Sequence, residues 1–511
     1  MASPKDRAAD QHGGMKIFFW IISFWAGATI MAFELVGARL LMPLFGTGIQ
    51  VWTIVITTSL AALAVGYWTG GKIADALPSA ITLAVILLLV TVSLVFVQVS
   101  GLNIPTVFQN MPLVVGACCS AISILAAPLI LLGMVQPVLV RLLIRTVART
   151  GTVVGGLMAA GTIGGIFGTA LTGLILIPYL GLSKILLVLV VGTLAVAVAA
   201  LSISRRLLIT ATAIVICVCS IMAGWTLESG SRGVGVMRVL KEVESLYGHL
   251  DVLEHHGTRV LACNGIFQTV VPTFGLGIVR GTLIRGRDYV ELIPYFRPGA
   301  RKALLIGVGA GLHERTLALY GLEVYGVEID PAVIRLATEY FDLAVEVTVA
   351  DGRAFLVRDQ ERYDAVIIDT FLGGTPPEHL YTKEAFELVN EHLNQNGMIV
   401  VRLIGHPEHP AIQAVARTLQ DVYPFIATVR NGIANELQDV FLFASRAALE
   451  LGSSERLELG MYGFTGEELC DINTQGAALL TDNRSGLTLL SSDLVVEHRR
   501  YSLRLRREPL W

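Results

Sequence analysis

Cysteine is scarce in this chain, six in 511 residues, and so is charge, since only 15% of the residues are Asp, Glu, Lys or Arg. Four of the cysteines, Cys118, Cys119, Cys217 and Cys219, lie in long apolar runs, where cysteine behaves as a small apolar residue. With only Cys263 and Cys470 elsewhere, neither a disulfide framework nor a zinc-ligand spacing can be drawn, and no metal is expected. A formal net charge of −3 gives no basic excess, so nothing suggests a nucleic-acid partner. The charge that exists is unevenly placed: the first two fifths of the chain are almost without it, and the remainder has the mixed polarity of a soluble protein. Mean hydropathy is +0.66, far above that of a wholly soluble chain, and the length allows two or three domains.

After a polar tail over 1–14, the region 15–228 holds seven apolar segments long enough to cross a hydrocarbon core of roughly 30 Å as helices. They lie near 16–37, 51–70, 80–99, 112–137, 152–177, 183–203 and 207–226. No small-residue cleavage site follows the first, so it reads as a membrane span and not as a signal peptide. The fifth contains Gly151, Gly155, Gly161, Gly164, Gly165 and Gly168, with Gly164 and Gly168 four apart on one face that lets helices approach closely in lipid; a substrate path is the alternative. Glu34, near the end of its span and followed by Arg39, reads as interfacial, with an intramembrane functional acid as the alternative. The pentapeptides Met42–Gly46 and Ile177–Gly181 hint at an internal duplication.

These features describe a multi-pass protein of the cell (inner) membrane, its partners a lipid bilayer and a small-molecule substrate. The membrane helices leave room for a homo-oligomer. Orientation contains a conflict. Lys5, Arg7, Lys16, Lys72, Arg141, Arg145, Arg149, Arg205 and Arg206 fall on one side of a seven-span arrangement, against Arg39 and Lys184 on the other, which puts the N-terminus in the cytoplasm. Seven spans then put the C-terminal region outside, away from the cytoplasmic supply of adenosyl compounds. That supply, and the basic run His498–Arg507 suited to an anionic leaflet, favour the cytoplasmic face.

The segment 229–300 carries short alternating pieces separated by turn signals and predicts a small antiparallel β cap. From 301 to 511, apolar runs alternate with helical stretches, as in a parallel sheet flanked by helices. Within it, the stretch Lys302–Asp330 is the most informative in the chain. An apolar strand, Ala303–Ile306, breaks at Gly307, Gly309 and Gly311 into a helix, and a second strand, Val324–Val327, ends in Glu328. Glycines there let backbone approach a ligand, and an acid about twenty residues on can accept both hydroxyls of a ribose. Two further strands end at Asp351-Gly352 and at Asp369, so three acids terminate successive strands where ligands of such sheets bind.

The order Tyr247, Gln268, Tyr289, Gly307-Val-Gly-Ala-Gly311, Glu328, Asp351-Gly352, Asp369 and Tyr381, over roughly 240–445, resembles the spermidine synthase family of polyamine aminopropyltransferases, in its membrane-fused branch. The resemblance implies a class I methyltransferase-like, Rossmann-type domain with an N-terminal β cap. It implies S-adenosylmethionine or its decarboxylated form as substrate, Glu328 on the ribose, Asp351 at the adenine amino group, the glycine loop along the methionine-derived chain, and Asp369 as the active-site acid. Tyr247, Gln268 and Tyr289 match positions lining the substrate cleft, with Tyr247 and Tyr289 placed beside the chemistry.

The departures concern the amines. Ala310 stands where the family's GGGDGG-like loop has an acid, Leu372 stands where its DSSDPxGPA-like motif has a second acid, and the family's Tyr-Gln and Tyr-His pairs become Tyr247-Gly248 and Tyr289-Val290. A dicationic polyamine needs carboxylates, because an unpaired buried ammonium costs several kcal/mol. Loss of the acid at 310 also removes a group that would repel the carboxylate of intact S-adenosylmethionine. The sequence thus points to an enzyme acting at the aminoalkyl carbon and releasing 5'-methylthioadenosine without a polyamine acceptor, by cyclisation or lyase-type cleavage. The alternatives are a polyamine aminopropyltransferase, an S-adenosylmethionine-dependent methyltransferase and a non-catalytic nucleoside-sensing transporter.

Overall fold

The computed structural model describes residues 4–45, 49–101, 103–108, 111–144, 150–180, 182–203, 237–272, 288–370, 376–431, 437–449 and 469–507. The chain divides into two compact units, the change falling between Arg232 and Gly233.

Among the described residues of the first unit, six helices are long and apolar enough to cross a membrane: Ile17–Met42, Gln50–Ala76, Ala80–Ser100, Val114–Leu143, Thr150–Leu176 and Leu182–Leu201. The seventh expected segment, 207–226, lies outside the described residues. These helices are apolar around most of their circumference, so Leu60, Trp68, Ile166 and Leu174 point outward and are exposed, as lipid-facing residues must be. The first helix packs mainly on the fifth, and the second on the fourth. On the fifth, a methyl group at Gly164 would strike the carbonyl of Phe24 and one at Gly168 the carbonyl of Ala28, so the glycine face serves a backbone-to-backbone crossing. Polar atoms tie the same place together. Ser23 Oγ donates to the Leu157 carbonyl at 2.7 Å, and Gln136 Nε2 of the fourth long helix donates to Ser23 Oγ at 2.8 Å.

The second unit begins with four antiparallel strands in sequential order, β1 (Arg238–Glu244), β2 (His249–His255), β3 (Thr258–Cys263) and β4 (Ile266–Pro272). A seven-stranded sheet follows: β5 (Lys302–Ile306), β6 (Glu323–Glu328), β7 (Val347–Val349), β8 (Tyr363–Ile368), β9 (Leu393–Gly405), β10 (Phe425–Asn431) and β11 (Gln438–Ser445), in the order β10-β11-β9-β8-β5-β6-β7. The strands from β5 to β9 run parallel, as expected. The sheet as a whole is mixed, because β11 and β10 return antiparallel along its edge. Alternation buries both faces. Leu304 and Ile306 enter the core beneath the helix Pro410–Val422, and Ala303 and Leu305 enter the opposite core with Phe296 and Phe441.

The chain runs outward from β5 to β7 and then returns to place β8 on the other side of β5. That reversal is the switch point at which sheets of this kind open a ligand crevice outside their carboxyl ends. The cap is stitched to the sheet domain in three places. Arg259 Nη1 donates to the Tyr340 carbonyl at 2.7 Å, the Ala310 amide to Thr269 Oγ1 at 3.3 Å, and the Phe267 amide to Ser502 Oγ of the helix Ser492–Arg507 at 3.1 Å.

Candidate active site

At the switch point the structure forms a cleft of about 790 Å³, walled by the cap residues Tyr247, Leu250, Leu261, Cys263 and Gln268 and floored by the strand ends. β5 delivers Gly307 and Gly309, β6 ends on Glu328, and β8 hands over to Asp369. Gly307 has φ +89°, and a side chain there would strike the Asp369 carbonyl, so only glycine lets the β5 loop lie against the end of β8. Asp351 caps the helix Gly352–Arg358, its Oδ1 accepting from the Ala354 amide at 3.0 Å, while its Oδ2 lies 2.8 Å from His379 Nε2.

Glu328 is held by backbone: Oε2 accepts from the Val308 amide at 3.2 Å and Oε1 from the Asp330 amide at 3.1 Å. Burial raises its pKa, and these N–H groups offset only part of that rise. Burial also raises the Tyr247 phenol, and so does the combined field of Asp330, Asp351 and Glu328. This end of the cleft is therefore electronegative, a setting for a cationic ligand. Asp351 is lowered, because the Ala354 amide and His379 outweigh its burial.

Asp369 sits in a different environment. Arg402 Nη1 donates to Oδ1 at 3.0 Å and to Oδ2 at 3.1 Å, and His313 Nε2 lies 2.9 Å from Oδ2. Beyond Arg402 stands Asp439, 2.6 Å from Nη2, and beyond His313 stands Asp288, 2.7 Å from Nδ1. The His313 contacts are close but poorly aligned as hydrogen bonds, so their strength is ionic. Burial alone would raise Asp369, yet Arg402 and His313 bring it down to about 2. Burial alone would lower His313, yet Asp288 and Asp369 push it up to about 10. Asp288, His313, Asp369, Arg402 and Asp439 thus form one chain in which acidic and basic side chains alternate.

Of the residues singled out from sequence, Tyr247, Gln268, Gly307, Gly309, Glu328, Asp351, Gly352 and Asp369 all border this cleft. Two stand apart from it. Tyr289 is buried in the sheet core, edge-on to Phe441 at 5.6 Å between ring centres, and Gly311 caps the helix Leu312–Leu319 with φ +78° against Leu343. Gln268 Nε2 is buried without a hydrogen-bond partner, an open donor in the cleft wall. Ala310 is fully buried in an apolar cluster with Leu250, Leu261 and Cys263, and Leu372 lies outside the described residues. Sequence reasoning missed His313, Arg402, Asp288 and Asp439. Arg402 alone left a trace, as the single charge within the apolar run 398–405. Elsewhere in the cap, Glu242, His249 and Asp251 bring potential metal-ligand atoms within 4.8 Å of one another. Both His249 ring nitrogens already meet carboxylates, Glu244 and Asp251 at 2.8 Å each, and these overcome burial to raise it to about 10.

Residues 289–434 match the family model described as a spermine/spermidine synthase domain. A protein of Bifidobacterium longum named "Probable polyamine aminopropyl transferase" is 31% identical over 188 residues, 36% of this chain and 42% of its own length. An N-terminal histidine N-methyltransferase of Emericella nidulans is 29% identical over 217 residues, 38% of this chain and 39% of its own. The chain thus spans less than half the length of either relative. The crystal structure of spermidine synthase from Thermotoga maritima aligns with 52% of this chain and 89% of its own at 18% identity and a TM-score of 0.36. Residues 289–434 thus match a spermine/spermidine synthase domain, and six long apolar helices precede them in the same polypeptide.

Proposed function

We propose that the second unit binds S-adenosylmethionine, or its decarboxylated form, and transfers or cleaves at the aminoalkyl carbon without a polyamine acceptor, releasing 5'-methylthioadenosine. The carrying observation is the charge arrangement of the cleft. Glu328, Asp330 and Asp351 line the end that would take the adenosine, and Asp369, held by Arg402 and His313, presents its remaining face to the cleft. At Ala310, buried among apolar side chains, a dicationic amine finds no acid.

In this reading Glu328 accepts the ribose hydroxyls, Asp351 meets the adenine amino group, and Gly307 and Gly309 admit the chain between adenosine and the amino acid. Gly352 keeps the floor flat, since a Cβ there would strike Ile306. Gln268 offers its unpaired Nε2, and the Tyr247 hydroxyl closes the cap side. Tyr381, buried with its hydroxyl 3.1 Å from Thr370 Oγ1, braces the residue next to Asp369. When bound, the sulfonium supplies an electrophilic carbon with a good leaving group, so the protein's work is alignment and charge stabilisation. The supply of adenosyl compounds favours the cytoplasmic face of the membrane for this unit, against the parity of seven spans.

A second reading, methyl transfer, is favoured by the similarity to the N-terminal histidine N-methyltransferase, since the same fold can present the methyl group. Incubating the purified full chain with S-adenosylmethionine, with and without putrescine or spermidine, separates the readings by mass spectrometry. We expect 5'-methylthioadenosine at a rate that polyamines barely change. S-adenosylhomocysteine as the product would establish methyl transfer, and a lengthened polyamine would establish an aminopropyltransferase.

A further inference from the structure

Asp369 is the one cleft acid at a strand end with two cations behind it. A carboxylate has about four lone-pair positions, and here Arg402 takes one on each oxygen while His313 approaches Oδ2. Arg402 is itself fixed from behind by Asp439, through Nε at 3.0 Å and Nη2 at 2.6 Å, and His313 by Asp288. Arg402 and His313 are 6% and 5% exposed, so water does not screen the contacts. The remaining face of Asp369 borders the cleft.

We propose that Arg402 and His313 are positioning residues that keep the Asp369 carboxylate charged and aimed into the cleft, where it opposes the donor's positive sulfur as a fixed anion and does not accept the nucleophile's proton. This rests on the donor reading above and adds the class of nucleophile. In the transfer, the carbon–sulfur bond breaks with its electron pair passing to sulfur, which becomes a neutral thioether, and a lone pair of the nucleophile forms the new bond to carbon. A carboxylate nucleophile ends neutral and sheds no proton. A neutral amine ends as an ammonium and gives its proton to water. The site therefore suits a nucleophile whose lone pair is already free at neutral pH, and it is poorly built for an ammonium that needs a base.

The other titratable groups facing Asp369 do not change this. Tyr381 is a buried phenol raised far above its ordinary value, and Glu328, Asp330 and Asp351 are the other acids bordering the cleft. Arg402 and His313 outweigh the burial of Asp369, and its lowering to about 2 agrees with the geometry.

The test compares the affinities of the full chain, in detergent or nanodiscs, for S-adenosylmethionine and for S-adenosylhomocysteine, which differ by one methyl group and the sulfonium charge. Calorimetry from pH 5 to 9 should show a constant preference for the sulfonium. Asp369→Asn should reduce the preference by about tenfold or more at every pH, because a unit charge has been removed from a poorly screened site. Arg402→Met should make the preference fall as the pH is lowered towards 5, while Arg402→Lys, which keeps a cation, should leave it nearly flat. A wild-type preference that falls through an ionisation between pH 5 and 8, and loses that dependence in Asp369→Asn, would overturn the proposal and restore Asp369 as a base. The wild-type profile decides this even if Arg402→Met fails to fold. Loss of all binding to both compounds would instead remove the donor reading on which the proposal rests.

Discussion

At the scale of single residues, the cleft was legible wherever a side chain's position follows from where a strand stops. Glu328, Asp351 and Asp369 close three successive strands, and alternation along each strand dictates which residue is last, so their convergence could be read without coordinates. The two cations behind Asp369 could not. His313 lies on the helix after the glycine loop and Arg402 on β9, and only the return of β8 between β5 and β9 brings them to one carboxylate. Tyr289 shows the opposite failure, since a motif match placed it beside the chemistry and packing against Phe441 takes it into the core. Glu328 gives the plainest residue-level test. Glu328→Ala removes the proposed ribose acceptor and also frees the Val308 and Asp330 amides that it holds. We expect calorimetry to show donor binding weakened by roughly 1–3 kcal/mol, and unchanged affinity would move the ribose elsewhere.

At the scale of elements, periodicity was a good guide to existence and a weaker one to partnership. Three of the four cap strands, β2, β3 and β4, and the order strand, glycine loop, helix, strand and acid appear where the pattern places them, whereas β1 was not picked out. The antiparallel return of β10 and β11 was not foreseen, because a buried apolar strand reads the same in either direction and only its connection reveals which way it runs. In the helical unit, the glycine face of the fifth span admitted two uses, and the backbone contacts at Phe24 and Ala28 favour the crossing. Gly164→Leu should therefore destabilise the helical unit by about 1–3 kcal/mol, seen as a lower unfolding midpoint in micelles. Gly155→Leu is the matched control, because no atom lies within 4 Å of a Cβ there. Equal midpoints for the two variants would mean that the first and fifth helices do not depend on this contact.

At the scale of the whole molecule, composition alone separated a lipid-facing part from a soluble one, since each regime extends over hundreds of residues and needs no tertiary information. Sidedness depends on the parity of the spans, and six described helices with a further apolar segment at 207–226 leave the loop charges and the supply of adenosyl compounds in tension. Leu319, on the exposed face of its helix, offers a reporter. In sealed cells, Leu319→Cys should resist a membrane-impermeant thiol reagent and react once the cells are permeabilised, with the parent chain giving the background from Cys470. Prompt labelling before permeabilisation would put the soluble unit outside. Membranes that separate such compartments commonly separate acidities as well. If Asp369 is the fixed anion proposed above, its charge takes no reading of the medium, and the proposed reaction would be insulated from a proton gradient across such a membrane.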